Sequence, residues 1–268
     1  MRFTKKILPQ FQSKEQELVH YIENFETEGT SFGNQDRNSL KLFDLNGFTI
    51  NIKSFKIPNI FNQIAYRFFR KSKAQRSYEY ANILLDKSVG TPQPIGYFEY
   101  KTPFLFKKSY YLSQQQDCDL TYRELTTNLD YPDHENILRA FTRFTYNLHE
   151  KGINFLDHSP GNTLIKKNGS AYDFFLVDLN RMSFGRMDFE TRIKNFSKLT
   201  IHKSMIEIMS NEYAKCINRD ETEVFSLMWQ YTKAFQEKYY RKIRLKKRIF
   251  FWKKKYKNFV AESPIKEL

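Results

Sequence analysis

Cysteine is scarce in this chain. Only Cys118 and Cys216 occur in 268 residues, far apart and without a Cys-x-x-Cys pair or a Cys/His cluster. That excludes a disulfide framework, offers no zinc spacing and points to free thiols in a reducing compartment. Glycine (9) and proline (8) are also few, which excludes collagen-like, low-complexity and disordered classes. Apolar runs never reach the roughly eighteen residues of a membrane span. The basic start Met1-Arg2-Phe3-Thr4-Lys5-Lys6 has no apolar stretch of a secretion signal behind it. The expectation is a cytoplasmic protein without a membrane span.

Aromatic side chains are abundant, with 26 Phe and 17 Tyr, and so is positive charge, at a formal +14. With 40% apolar residues the chain can bury the core of one large domain or of two lobes. The charge is uneven. Eleven of the 44 Lys and Arg lie in residues 238–257, which hold no acid, leaving 33 bases against 30 acids elsewhere. A basic tail on a nearly balanced body implies one dedicated contact region, not a diffuse polyanion-binding surface.

The first half reads mainly as strands, with no internal repeat. Leu18-Val19-His20-Tyr21-Ile22 and Ser39-Leu40-Lys41-Leu42-Phe43 predict a hairpin about a turn containing Gly29 and Gly33. Asn46-Gly47 then predicts a type I′ turn into a third strand, Phe48-Thr49-Ile50-Asn51-Ile52-Lys53, because both central residues of that turn need positive φ. Residues 60–87 have helical spacing and end at Gly90 and Pro92, and two strands follow, at 95–100 and 104–112. The pattern is β-β-β-α-β-β. From His134 it turns helical, with Ile137, Leu138, Phe141, Phe144, Thr145 and Leu148 three and four apart and a stop at Gly152. Short strands are expected at 163–165 and 174–177, then two or three helices over 191–259.

The chemistry lies between those strands. Asp157-His158-Ser159-Pro160-Gly161-Asn162 sets an Asp and an Asn five positions apart after a helix, and Asp178 closes the apolar run Phe174-Phe175-Leu176-Val177. Phosphoryl transfer calls for this set: a carboxylate to orient or accept the proton of an attacking hydroxyl, and two oxygen ligands to hold Mg²⁺ against nucleotide phosphates. A lone Asp in a turn is usually a cap or an Asx-turn. Here the combined spacing and strand context favour a kinase-like reading.

Leu148-His149-x-x-Gly152, Asp157-x4-Asn162-x-Leu164-Ile165 and Val177-Asp178-Leu179-Asn180-Arg181 together resemble the lipopolysaccharide core (Kdo) kinase family of the protein-kinase-like superfamily, over roughly residues 18–200. The resemblance implies an α+β, two-lobed protein-kinase-like fold. Residues 1–113 would form an N-terminal lobe of antiparallel sheet plus helix, and 114–268 a mainly helical catalytic lobe ending in the basic tail. It implies ATP and Mg²⁺ as cofactors, with Asp157 as catalytic base, Asn162 as second metal ligand and Asp178 as main metal ligand. It further implies Lys53 on the α and β phosphates, with Lys56 as its competitor. Glu79 becomes that lysine's helix partner, and Gly29 and Gly33 belong to the phosphate-covering loop. Leu112 to Leu120 would be the hinge, with Gln114, Gln115, Gln116 and Asp117 near an adenine ring. His149 is expected as a structural helix-end residue and His158 as a loop residue near substrate. Leu156 replaces the Arg of His-Arg-Asp, which speaks against control by a phosphorylated activation loop.

The implied reaction is γ-phosphoryl transfer to a sugar hydroxyl, Kdo or heptose, of a lipid-linked lipopolysaccharide core. Alternatives on the same fold are another small-molecule or protein kinase, or a catalytically silent, membrane-associated binding module. The basic tail fits a helix packed on its own lobe or contact with an anionic membrane surface, placing the protein on the inner face of the inner membrane. Nucleic acid is the weaker partner, because no nucleic-acid-binding motif accompanies the charge.

Overall fold

The computed structural model describes residues 2–33 and 38–249. The chain divides into two compact units, Met1–Cys118 with Asp173–Met182, and Asp119–Tyr172 with Ser183–Leu268.

The first unit contains β1 (Arg2–Ile7), α1 (Glu15–Glu23), β2 (Thr30–Ser31), β3 (Asn38–Leu45), β4 (Phe48–Phe55), α2 (Ile60–Phe68), α3 (Lys73–Asp86), β5 (Pro94–Lys101) and β6 (Phe106–Gln114). Its sheet runs β1-β5-β6-β4-β3-β2, with each neighbouring pair antiparallel. The expected turn forms, with Asn46 at φ 53° and Gly47 at φ 91° between Leu45 and its partner Phe48. The period of β4 sorts its side chains. Ile50 and Ile52 enter a core with Leu18 and Ile22 of α1, whereas Phe55 packs with Ala74 and Tyr78 of α3. Asn51 and Lys53 therefore point to the α3 side.

Two expectations need correction here. Residues 18–22 are not a strand but the middle of α1: Leu18, Ile22 and Phe25 are buried four and three apart, a helical period that a five-residue window cannot separate from alternation. The strand that pairs with β3 through Thr30↔Leu42 is the short β2, and the basic N-terminus is β1 on the edge of the sheet against β5. The helical stretch 60–87 is two helices, because Asn59 caps the first and Ser72 the second by accepting from backbone N–H groups.

The second unit contains β7 (Leu120–Thr121), α4 (Tyr122–Thr127), α5 (His134–Glu150), β8 (Ile153–Phe155) and β9 (Thr163–Asn168), with β7 antiparallel to β9. Along β10 (Ala171–Leu176) the chain passes into the first unit, and along β11 (Met182–Phe184) it returns to α6 (Phe189–Lys194), α7 (Lys203–Ile217) and α8 (Glu221–Ile249). The apolar face of α5 is buried at Ile137, Leu138, Phe141, Thr145 and Leu148. Packed against α7, it forms a core around Tyr122, Phe155, Phe196 and Tyr213. The buried residues of α8 among those described, Val224, Met228 and Thr232, lie in its first half, and Gln236 and Tyr240 beyond them are half-buried. The cations from Lys238 to Arg248 line its exposed end, and the rest of the basic tail, from 250 on, lies outside the described residues.

Candidate active site

In the first unit Lys53 sits mid-strand on β4, between Leu40 of β3 and Tyr111 of β6, so its Cα is held by the sheet on both sides. Its ammonium donates to Asp178 Oδ1 at 2.7 Å, and the Asn180 amide donates to the same oxygen at 2.7 Å. Asp178 has φ 57°. For a non-glycine residue that left-handed backbone costs roughly 1–2 kcal/mol, a kind of strain that clusters at functional sites.

The chain ahead of Asp178 is tied down by backbone. The Leu176 N–H donates to the Gly90 carbonyl at 2.9 Å, and the Thr91 hydroxyl donates to the Leu176 carbonyl at 2.8 Å. A Cβ on Gly90 would lie 2.2 Å from the Phe174 carbonyl oxygen, so only glycine admits this approach. Lys73, the first residue of α3, is the fourth side chain here. Burial lowers its pKa and the Arg181, Arg76 and Lys53 charges add to that, while Asp178 opposes them. Several cations around one carboxylate form a positive site for a polyanion.

Lys53, not Lys56, meets Asp178. Lys56 is exposed, its backbone N–H directed to Asn38. Glu79 is engaged elsewhere in this structure, accepting from Lys71 at 2.8 Å and from Gln75, one turn earlier on α3, at 3.0 Å. Gly29 (φ 76°) lies against the Phe43 ring, which would clash with a Cβ, whereas a Cβ on Gly33 (φ 66°) would meet no described atom within 4 Å. Gln115 of the expected hinge accepts from Asn51 at 2.9 Å.

In the second unit Asp157 lies two residues beyond the end of β8. The Asn162 side-chain nitrogen donates to the Asp157 carbonyl at 2.8 Å, and its backbone N–H to Ser159 at 2.9 Å, closing the Asp-x4-Asn loop on itself. With the amide nitrogen committed, the amide oxygen is the end offered to a hard cation. Asn195 organises the loop from below. Its nitrogen donates to Asn154 and to the Phe155 carbonyl, and its oxygen accepts from His158 Nδ1 at 3.0 Å and His149 Nε2 at 3.3 Å. Tyr213 completes the network by donating to His149 Nδ1 at 2.7 Å.

Burial pushes both imidazoles down, His149 to about 3 and His158 to about 4, so both are neutral at pH 7. His149 is the structural residue expected. His158 lies in the loop, as expected, with its ring buried against the Phe141 and Phe155 rings. Lys198 donates to the Leu156 carbonyl at 2.5 Å, and its ammonium stands 4.0 Å from Asp157 Oδ1. Neither Asn195 nor Lys198 was legible in the sequence, because they lie 40 and 42 residues beyond their partners in no recognisable spacing.

The second unit also holds a cavity of about 590 Å³ lined by Arg186, Met187, Asp188, Phe189, Arg192, Ile217 and Arg219. Arg219 stacks 4.1 Å from the Phe189 ring centroid, and Arg192 is fixed by Glu150 and the Met187 carbonyl.

Among solved structures, WaaP in complex with acyl carrier protein matches 87% of this chain and 99% of its own, with a TM-score of 0.57 and 15% identity. The fold is protein-kinase-like. Its antiparallel-sheet unit and mainly helical unit are the two parts of that α+β fold, and at this identity the likeness is one of fold alone. No family model and no curated protein matches the sequence.

Proposed function

We propose that this protein is an ATP- and Mg²⁺-dependent phosphotransferase acting on a sugar hydroxyl of a lipopolysaccharide core, Kdo or heptose. The observation that carries the reading is Asp178, in a left-handed conformation and with its carboxylate hydrogen-bonded by Lys53 and Asn180, on a kinase-like fold. Asp178 and the Asn162 amide oxygen are assigned as metal ligands and Lys53 as the phosphate-binding cation. Gly29 and Gly33 are assigned to the loop over the phosphates, and Glu79 to Lys53 once nucleotide releases that lysine from Asp178. Mg²⁺, when bound, neutralises phosphate charge. Asp157 orients the acceptor hydroxyl and takes its proton. Lys198, 4.0 Å away, adds positive charge where the transferred group would pass.

Lipopolysaccharide is favoured as acceptor by the motif resemblance and by the likeness to WaaP. The arginine-lined cavity of the second unit suits an acceptor that already carries phosphate or carboxylate. The basic end of α8 is assigned to the same anionic surroundings, at the inner face of the inner membrane. The deciding experiment is transfer of labelled γ-phosphate to deacylated lipopolysaccharide core by wild type, Asp157→Ala and Asp178→Ala. Transfer by wild type that is lost in both variants supports the assignment. Bound ATP with no transfer to any core acceptor would replace it with another acceptor or a silent module.

A further inference from the structure

Helix α2 has no buried residue. Within the helix Ile60, Phe61, Ile64 and Phe68 fall within about 100° of one another, so they share one face; all four are exposed, as is Ile57 just ahead of the helix. Phe69, the residue that ends the helix, is exposed beside that face. The helix is nevertheless held in place: Tyr66 packs on Phe106 of β6, Gln63 donates to the Pro58 carbonyl in the helix's own lead-in, and Arg67 donates to the Thr102 carbonyl in the turn after β5. That last bond ties to α2 the turn that carries Phe104. Exposure reaches 79% at Phe61, 82% at Phe69 and 73% at Phe104. Soluble surfaces rarely leave so many large apolar side chains together, and such patches mark interaction sites.

Charge identifies the partner. From Leu45 to Tyr78 the chain has seven Lys or Arg and no acid. Lys56, Arg67, Arg70 and Lys71 flank the apolar face, with the Arg67 guanidinium 5.0 Å from the Phe68 ring centroid and that of Arg70 5.9 Å from Tyr66. Lys71 also pairs with Glu79. An aromatic face edged by arginines whose stems can snorkel is the pattern of a helix lying in the plane of an anionic lipid surface. Self-association is disfavoured, since a two-fold contact would set one basic rim against another.

We infer that α2 is a bilayer-docking helix, its Phe61–Phe69 face and Phe104 seated among the headgroups of an anionic membrane. This surface belongs to the first unit, is separate from the basic end of α8, and is independent of the kinase reading.

The test is flotation of the full chain with phosphatidylcholine vesicles containing phosphatidylglycerol, with and without 0.5 M salt as a rough upper screening condition. Wild type is expected to float, and to retain part of its binding at high salt. A Phe61→Ser/Phe69→Ser variant with unchanged Tm is expected to float at least about tenfold less, because each buried Phe contributes most of its transfer free energy. Asp178→Ala should float like wild type whether or not it transfers phosphate. As a second measurement, Phe61→Trp should add blue-shifted emission that brominated lipid quenches. Equal flotation of wild type and the double variant would assign binding to the tail and overturn the inference, as would absence of flotation or of quenching. A lipid-free dimer that the double variant dissolves would overturn it in favour of a second copy of the chain.

Discussion

Lys53 and Asp178, 125 residues apart in sequence, meet at 2.7 Å, and the same carboxylate oxygen also receives Asn180. The pair is partly solvated, with side-chain exposures of 15% and 31%, so its net contribution to stability is small. Lys53→Met is therefore expected to lower phosphoryl transfer by about a hundredfold or more while costing about 1 kcal/mol or less of stability. Rates and denaturant unfolding check this together. A variant that transfers within about threefold of wild type would remove Lys53 from the site.

Gly90→Ala should destabilise the first unit without touching any charged group. A methyl 2.2 Å from the Phe174 carbonyl forces the two backbones apart and weakens the Leu176 and Thr91 hydrogen bonds. A loss of about 2–3 kcal/mol in urea unfolding is expected, in the range of overpacking with strain. Wild-type stability in this variant would mean that the approach relaxes at no cost.

Asn195→Ala should leave two histidines, Asn154 and the Phe155 carbonyl short of a partner in a buried setting. The expected loss is roughly 2–4 kcal/mol, together with disorder of the loop carrying Asp157. Asn195→Asp tests the electrostatics separately. A carboxylate beside two neutral imidazoles raises their pKa values, so NMR should show histidine resonances titrating nearer neutral pH, and unchanged titrations would contradict the network as drawn.

Acid should unfold the second unit early. His149 and His158 titrate at about 3 and about 4 when folded, below the value near 6.5 of an unfolded chain. As pH falls through 6.5 the unfolded state takes up protons that the folded state refuses, and stability declines until the folded pKa values are reached. Between pH 6 and pH 4.5 the slope should approach roughly 1 kcal/mol per pH unit for each histidine. Thermal unfolding across that range measures it, and His158→Gln, which keeps a side-chain donor, should flatten the curve. A Tm independent of pH between 6.5 and 4.5 would show that the two rings are solvated.

Local chemistry was enough for the Asn46-Gly47 turn and for the longer helices. Asn46-Gly47 has one favoured hairpin geometry, the stripe on α5 spans seventeen residues, and Asp157, Asn162 and Asp178 stand in short runs that can be read without knowing what they face. Where a segment was too short for its period to count, as at residues 18–22, the partner decided, and Leu18 and Ile22 became helical because the sheet needed a layer over Ile50 and Ile52. Tertiary structure alone brought Asp178 to Lys53, placed Gly90 and Thr91 under the strand before it, set Asn195 beneath the Asp157 loop and directed Glu79 to Lys71. Such relationships depend on which distant backbone lies within hydrogen-bond reach, a property of the packed chain that local spacing does not encode.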